Sequence, residues 1–388
     1  MRVMIAGGGT GGHIYPGIAM YNALRRRARD VDVLFVGATA GVESKIFDEL
    51  DLPNVLLPGR AVRGKGFVSK MTSPLVFLVG LIRGIREILA FQPDVVIGTG
   101  GYASVALVAA SVLCRKTRVL QEQNSVPGMA NRLLSRFADL VLLSYEESRV
   151  FIKGGVQTAV VGNPIRIEAT ADRESALRFF GLKSGVPTVL VCGGSRGARS
   201  INQAAEAAVK RIVARRDVQF VFLTGELDYE KITRELAEFS EMVRVYPFLQ
   251  EMHYAYGVAD IAVSRAGASA VFELAAFGIP TVFVPYPYAA DDHQRKNVNQ
   301  LEEVGAAIVI ENQALDGEHL ETIIETLLDD EGRRGDMQKK SRAWAKADAD
   351  SLAAEKILEL VSRRRAVATG AEDTANGHLT RGASPEWM

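Results

Sequence analysis

The chain has 388 residues, of which 48% are apolar and 24% charged; this is the composition of a soluble globular protein and is long enough for two domains. Lys plus Arg and Asp plus Glu number 46 each, so no overall field would attract nucleic acid, and no nucleic-acid partner is expected. The two cysteines lack metal-binding spacing and suit a reducing cytosol, and the first residues lack the basic and apolar regions of a secretory signal.

Short apolar runs alternate with helical patterns along both halves of the chain. The first half predicts strands at 3–6, 31–36, 55–57, 95–98, 118–121, 140–143 and 159–161. The second half predicts strands at 188–192, 220–223, 243–246, 261–263, 281–284 and 307–310. Such strands, separated by helices, predict two α/β domains with parallel sheets, divided near the turn residues 162–164.

The segment after the second series is predicted to be helical at 318–328 and 334–365. We expect domains at 1–163 and 164–340, a helix at 341–365 that returns to the first domain, and a disordered tail at 366–388. Residues 95–114 carry no charge over 20 positions, the length of a membrane span. Glycines near the middle of this run favour a buried strand, a turn and a buried helix instead.

Two glycine-rich turns each follow an apolar strand and open a helix. The first turn, GGGTGGH, formally matches the dinucleotide fingerprint, but the next strand lacks the terminal acid that would bind a ribose, which disfavours a nicotinamide cofactor. The second, GGSRGAR, lacks the Walker A ending and suits a pyrophosphate. A tight turn with no ligand remains the alternative for the first. The repetition predicts two similar domains that face one cleft.

His13 follows the first turn directly, where the helix dipole favours a neutral imidazole. A neutral imidazole that faces a cleft can accept a proton from a substrate hydroxyl, so we expect His13 to act as a base. The alternative is a histidine that only packs or caps. Glu273, on a helix after a Gly/Ser turn, could accept hydrogen bonds from ribose hydroxyls, or could lie on a solvated helix face.

Two further polar clusters, GTGGYAS at 98–104 and QEQN at 121–124, follow predicted strands at the edge where open α/β sheets bind ligands. The run Asp291-Asp292-His293-Gln294 could be a metal site, but adjacent aspartates point apart and no complementary ligand cluster is nearby, so no metal is expected.

Residues 52–86 hold no Asp or Glu but carry several Arg and Lys among apolar side chains: Arg60, Arg63, Lys65, Lys70, Arg83 and Arg86 with Phe67, Met71, Leu75, Phe77, Leu78, Leu81 and Ile82. This composition suits an anionic membrane surface. The alternative is a helix that faces the core and has a solvated rim.

Seven ordered motifs over about residues 1–360 resemble the MurG family of bacterial glycosyltransferases. These are GGGTGGHIYPG, GTGGYAS, EQNSVPGMANR, GNPIR, GGSRGAR, SRAGASAVFELAAFGIP and DDHQRKNV. The resemblance implies a GT-B fold with two Rossmann-like domains facing a central cleft. It implies an inverting enzyme without a cofactor that transfers GlcNAc from UDP-GlcNAc to lipid I, giving lipid II for peptidoglycan.

The resemblance also implies roles for individual residues. On the donor side, Ser195 would bind the pyrophosphate, Glu273 the ribose and Leu249 the uracil through its backbone; Gln294 with His293 would reach the GlcNAc hydroxyls, and Arg166 would contact the donor. On the acceptor side, His13 would be the base, and Thr10, Gly11, Gly12, Tyr102 and Asn124 would bind lipid I.

The implied setting is the cytoplasmic face of the cell membrane, with peripheral attachment and cell-wall and division machinery as partners. Two alternatives remain open at this point: a related GT-B transferase that acts on another lipid or aglycone, and a nucleotide-sugar-binding subunit without activity. Intact His13, Glu273 and Gln294 disfavour the second.

Overall fold

The computed structural model describes residues 1–9, 11–39, 43–59, 67–165, 171–194 and 197–369. Within these ranges the strands are β1 (Arg2–Gly7), β2 (Asp32–Ala38), β3 (Asn54–Leu57), β4 (Val95–Gly100), β5 (Thr117–Glu122), β6 (Leu140–Leu143), β7 (Gln157–Val160), β8 (Thr188–Cys192), β9 (Gln219–Leu223), β10 (Val243–Tyr246), β11 (Ile261–Ser264), β12 (Thr281–Phe283) and β13 (Ala307–Val309). Each overlaps a strand predicted from the sequence and ends within two residues of it.

The helices of the same ranges cover both faces of the sheets. They are α1 (Gly11–Arg27), α2 (Glu43–Glu49), α3 (Phe67–Phe91), α4 (Gly101–Leu113), α5 (Met129–Leu134), α6 (Arg173–Phe180), α7 (Arg199–Val213), α8 (Tyr229–Glu235), α9 (Met252–Val258), α10 (Ala268–Phe277), α11 (His293–Glu303), α12 (Gly317–Asp329), α13 (Glu331–Trp344) and α14 (Ala349–Thr369).

The strands form two sheets in which every pairing is parallel. In the described part of the chain the first sheet has the order β3-β2-β1-β4-β5-β6-β7 and the second the order β10-β9-β8-β11-β12-β13. The strand order reverses between β1 and β4 and again between β8 and β11. The two glycine-rich turns follow β1 and β8, so each lies at the switch point where doubly wound sheets bind ligands.

The apolar run at 95–114 forms a buried strand and a helix. All six residues of β4 are buried, and α4 continues directly from it at Gly101. Among the described helices, none combines the length and the apolar character needed to cross a membrane.

The C-terminal helical region differs from the sequence prediction. The helix expected at 334–365 is two helices, because the backbone becomes extended at Ala345 and α14 begins only at Ala349. Helix α14 also runs four residues past the predicted end, so part of the predicted tail is helical, and residues 370–388 lie outside the described ranges. Ala353 and Ile357 of α14 are buried in the core of the first sheet, beneath α1.

Helix α3 packs on α4 through one face and exposes apolar side chains on the other. Gly80 and Ile88 are buried on the inner face, and a Cβ at Gly80 would lie 2.8 Å from the Pro58 carbonyl oxygen. The exposed apolar side chains of the outer face are Leu75, Leu78, Val79, Ile82 and Leu89. We call these five side chains the α3 apolar face; Phe77 is also exposed but lies three residues before Gly80, on the inner side of the helix. The predicted basic residues Arg60, Arg63 and Lys65 lie outside the described residues.

Candidate active site

A cleft with a volume of about 1860 Å³ lies between the carboxyl edges of the two sheets. It is lined by nine of the residues singled out from the sequence: Gly11, Gly12, His13, Tyr102 and Asn124 from the first domain, and Leu249, Glu273, His293 and Gln294 from the second. The other three, Thr10, Arg166 and Ser195, lie outside the described residues. The structure therefore brings together, in one cavity, every predicted site residue that it describes.

His13 is the third residue of α1 and faces the cleft from the end of the first glycine-rich turn. Its Nδ1 atom lies 3.1 Å from the Gly8 carbonyl oxygen, which can only accept a hydrogen bond. Nδ1 therefore carries the proton, and the Nε2 lone pair is left to accept one. Burial lowers the pKa of the His13 imidazole to about 4, so the ring is neutral near pH 7.

Gly100 lies against the His13 ring, where a side chain would be too close to the imidazole. Its φ is +111°, a conformation that side chains with a Cβ rarely adopt, and an added Cβ would lie 3.2 Å from His13 Nε2. The Thr99 hydroxyl, next to it, donates to the His13 carbonyl oxygen at 2.5 Å. The end of β4 thus holds the start of α1 through Thr99, and Gly100 leaves space for the His13 imidazole, which lines the cleft.

Glu122 is a buried carboxylate that organises the loop around Asn124. Its oxygens accept hydrogen bonds from the Asn124 backbone N–H at 2.9 Å, the Gly128 N–H at 3.0 Å and the Asn131 amide at 2.9 Å. Burial raises the pKa of Glu122, while these hydrogen bonds to its charged form oppose that shift. The loop that presents Asn124 to the cleft is therefore held by several hydrogen bonds to one side chain.

Asn297 of α11 connects the two domains below the cleft. Its Oδ1 accepts from the Ser125 N–H at 2.9 Å and from the Ser125 hydroxyl at 3.1 Å. Its Nδ2 donates to Asn124 Oδ1 at 3.3 Å and to the Ala266 carbonyl at 3.1 Å, and its own carbonyl accepts from the Tyr145 hydroxyl. Every polar atom of this buried side chain has a partner, so the network fixes α11 against the Asn124 loop.

A second contact between the two domains joins Arg132 and Asp291, which both line the cleft. Arg132 Nη2 lies 2.6 Å from Asp291 Oδ2, and the same guanidinium donates to the Pro127 carbonyl. Asp291 and Asp292 both have φ of +54°, so two consecutive non-glycine residues lie in the left-handed region just before α11. Asp291, one of the two adjacent aspartates of the run 291–294, is thus paired with an arginine.

Glu273 and Tyr256 form a hydrogen-bonded pair on the wall of the cleft that the second domain provides. The Tyr256 hydroxyl donates to Glu273 Oε2 at 2.5 Å, and both residues line the cleft. Burial raises the pKa of Glu273 to about 7, although the hydrogen bond from Tyr256 opposes the rise. The carboxylate therefore titrates near neutrality.

Gln294 and His293 are the first two residues of α11, and one polar atom of each side chain is hydrogen-bonded to the backbone. Gln294 Oε1 accepts from the Tyr286 N–H at 2.9 Å, which leaves its amide hydrogens to donate into the cleft. His293 Nδ1 donates to the Ala290 carbonyl at 2.8 Å, which leaves Nε2 as an acceptor. The pair thus offers a donor and an acceptor, a combination that suits sugar hydroxyls.

The remaining donor-side residues surround the second glycine-rich turn. Leu249 lines the cleft, but its side chain is buried in the core of the second domain, which suits contact through its backbone. Helix α7 opens after this turn, and within the described residues no side chain caps its first N–H groups. These groups and the helix dipole can receive an anion.

Three residues of this site, Tyr256, Arg132 and Asn297, had no role predicted from the sequence, although Arg132 and Asn297 belong to the motifs EQNSVPGMANR and DDHQRKNV. Their partners are 17, 159 and 172 residues away in the chain, respectively, so no local spacing signals these contacts. Within the described ranges, no group of three or more His, Cys, Asp or Glu side chains is placed to hold a metal ion.

Comparisons with known proteins give a consistent family match. Residues 3–143 match the glycosyltransferase family 28 N-terminal domain, and residues 188–356 match the glycosyltransferase family 28 C-terminal domain. A protein of Chlorobaculum tepidum named UDP-N-acetylglucosamine--N-acetylmuramyl-(pentapeptide) pyrophosphoryl-undecaprenol N-acetylglucosamine transferase is 41% identical over 364 residues, 93% of this chain and 99% of its own. A protein of the same name from Listeria monocytogenes EGD-e is 36% identical over 365 residues, covering 93% and 100%.

Solved structures share the two-domain arrangement. The crystal structure of Acinetobacter baumannii MurG superposes with a TM-score of 0.70 at 26% identity, over 92% of this chain and 99% of that one. A UDP-GlcNAc 2-epimerase from Neisseria meningitidis, solved with UDP-GlcNAc, gives a TM-score of 0.67 at 11% identity over 92% and 100%. At that identity the second likeness concerns the fold alone.

Proposed function

The chain belongs to glycosyltransferase family 28 and, within it, to the MurG transferases, and on that premise we propose its reaction. The enzyme moves GlcNAc from UDP-GlcNAc to the 4-hydroxyl of MurNAc in lipid I, the undecaprenyl-pyrophosphoryl-MurNAc-pentapeptide, and the product is lipid II. The observation that carries the proposal is one cleft with an uncharged histidine on one wall and a carboxylate on the other, in a chain that covers 99% of the Chlorobaculum tepidum relative.

The donor is proposed to bind the second domain. Glu273 would accept hydrogen bonds from the ribose, Leu249 would contact the uracil through its backbone, and Gln294 with His293 would hold the GlcNAc hydroxyls. The hydrogen bonds of Gln294 Oε1 to the Tyr286 N–H and of His293 Nδ1 to the Ala290 carbonyl support this arrangement, because they fix each side chain to the backbone. The roles of Ser195 at the pyrophosphate and of Arg166 at the donor are proposed from the family resemblance alone.

The acceptor is proposed to bind the first domain. Gly11 and Gly12 would let the muramyl sugar approach His13, with Tyr102 and Asn124 at its sides and Thr10 added on the resemblance alone. The Asn124 side chain donates to Glu122 and accepts from Asn297, and these two hydrogen bonds support a positioning role for this loop. Gly11, Gly12, His13, Tyr102 and Asn124 line the same cavity as the donor-side residues, as a direct transfer between two bound substrates requires.

The proposed chemistry is a single displacement with inversion. The muramyl O4 forms a bond to the anomeric carbon as the bond from that carbon to the UDP oxygen breaks. The hydroxyl proton passes to His13 Nε2, and the electron pair leaves with the β-phosphate. The N–H groups at the start of α7 would stabilise the charge that develops on UDP. Base catalysis of this kind contributes about 10²–10⁴ in rate.

Helix α3 is proposed to contact the membrane surface. The α3 apolar face has five exposed apolar side chains, and Arg83 and Arg86 are exposed on the same helix. Each basic residue near an anionic bilayer contributes about 1 kcal/mol, in addition to the burial of the apolar side chains. This supports peripheral attachment to the cytoplasmic face of the cell membrane, where cell-wall and division proteins would be partners.

A panel of donors and acceptors tests the proposal. The purified protein would be given UDP-GlcNAc, UDP-glucose and UDP-GalNAc, each with a soluble lipid I analogue, a diacylglycerol and a phenolic aglycone. Transfer from UDP-GlcNAc to the lipid I analogue alone is the expected result. Preferred transfer to another acceptor would point to the related GT-B activity, and donor binding without transfer to any acceptor would point to a non-catalytic subunit.

A further inference from the structure

The contact between Tyr256 and Glu273 joins two helices of the donor wall. Tyr256 is on α9 and Glu273 on α10, and their side chains meet at 2.5 Å inside the cleft. Within the described part of the chain, Tyr256 is the hydrogen-bond donor to this carboxylate. It uses Oε2 and leaves Oε1 for a ligand.

The direction of the hydrogen bond is fixed by the two groups. Burial raises the pKa of the Tyr256 phenol well above its usual value, so the hydroxyl keeps its proton and donates. The Tyr256 ring is itself held, because it packs at 4.9 Å from the ring of Phe277 and its residue is buried in the core. Packing therefore holds the Tyr256 ring, and the hydroxyl of this held ring meets the Glu273 carboxylate.

The other groups around Glu273 do not supply a compensating charge. Cys192 of β8 faces it, but burial raises the pKa of that thiol to about 11, and its Sγ contacts the Ser264 hydroxyl at 3.3 Å. Arg342 of α13, which packs on α10, donates to the Phe277 carbonyl. Within the described residues, the other titratable groups of the second domain that line the cleft are His253 of α9, Asp291 just before α11 and His293 of α11.

We infer that Tyr256 is a positioning residue of the donor site: its hydroxyl orients the Glu273 carboxylate and favours the ionised form that accepts hydrogen bonds from the ribose. This inference rests on the proposed role of Glu273. Without the hydroxyl, the carboxylate would lose its one fixed partner and would bind a proton more readily. Donor affinity would then fall at neutral pH and recover at higher pH, where the carboxylate ionises anyway.

The size of the effect follows from the titration. A group with a pKa near 7 is roughly half ionised at about pH 7, and a rise of about one unit leaves roughly a tenth ionised. Removal of the hydroxyl is therefore expected to weaken UDP-GlcNAc binding about fivefold at about pH 7 and less than about twofold at about pH 8.5. A loss of packing alone would give the same ratio at both pH values.

The test is calorimetric titration of UDP-GlcNAc into the full chain and its Tyr256→Phe, Glu273→Gln and doubly substituted variants at these two pH values. Tyr254→Phe is the matched control, because Tyr254 is also on α9 but stacks on Phe179 and is not part of the cleft. The expected result is a pH-dependent loss for Tyr256→Phe, no further loss when Glu273→Gln is already present, and unchanged binding for Tyr254→Phe.

Three results would overturn the inference, and a fourth has a different meaning. A Tyr256→Phe variant with wild-type affinity, or with the same loss at both pH values, removes the positioning role. If the wild-type affinity, compared with that of Glu273→Gln, does not change with pH, the positioning role is removed even if Tyr256→Phe fails to fold. A wild-type protein that does not bind UDP-GlcNAc would instead overturn the proposed function itself.

Discussion

The Nδ1 atom of His13 lies 3.1 Å from the carbonyl oxygen of Gly8, at the start of the helix that follows the first glycine-rich turn. This contact selects one tautomer, and burial keeps the ring uncharged, so the atom left toward the cleft is a basic nitrogen. The base proposed from the sequence therefore has a geometric reason to act as one.

Replacement of His13 by Gln is expected to lower kcat by about 10²–10⁴ and leave the Kd for UDP-GlcNAc unchanged. The amide preserves polarity but cannot take up the proton, and His13 is on the wall opposite the donor residues. Single-turnover kinetics and donor titration separate the two quantities. A variant that binds the donor and turns over at the wild-type rate would remove His13 from the mechanism.

We expect kcat not to fall as the pH decreases through 6.5, the usual pKa of a histidine side chain. Because burial lowers the pKa of His13 to about 4, the base stays deprotonated as the pH falls through 6.5 and is protonated only near pH 4. A pH–rate profile with saturating substrates measures this. A loss of kcat centred near pH 6.5, absent in His13→Gln, would contradict the assignment.

Glu273→Ala is expected to abolish the preference of the enzyme for UDP over 2′,3′-dideoxy-UDP. Hydrogen bonds to a charged group are worth about 1.5–3 kcal/mol, so the wild type should prefer the ribose form by roughly ten- to a hundredfold. Competition against a labelled donor compares the two nucleotides. An equal preference in wild type and variant would show that another residue recognises the ribose.

Asn297→Ala is expected to lower the free energy of unfolding by about 1–3 kcal/mol, because it leaves the Ser125 N–H buried without its acceptor. Urea denaturation measures the change. Asn299→Ala serves as the control: Asn299 is on the same helix and contacts only Arg295 in the described network, so a loss below about 1 kcal/mol is expected. Similar losses in both variants would argue against the Asn297 network.

Substitution of Leu78 and Ile82 by Ser is expected to reduce binding to vesicles that contain anionic lipid, since both belong to the α3 apolar face. Leu227→Ser is the matched control, because Leu227 is 92% exposed but is on the second domain. Cosedimentation at low and high salt measures the binding. Equal binding by all variants would place the membrane contact elsewhere.

The sequence predicted the strands because buried parallel strands are continuous apolar runs, and it predicted His13 and Glu273 because both follow glycine turns at strand ends. It could not predict the break between α13 and α14, since residues 345–348 contain neither Gly nor Pro. Nor could it predict that Asn297 reaches Ser125, because that contact joins residues 172 positions apart and depends on how the two domains pack.

The most direct test of the account is the anomeric configuration of the product formed from UDP-GlcNAc and a soluble lipid I analogue. We predict a β-linked GlcNAc–MurNAc disaccharide, determined by NMR, with one UDP released for each product and no product from His13→Gln on the same time scale. An α-linked product would contradict the single displacement, and the absence of any disaccharide from the wild type would contradict the transferase assignment.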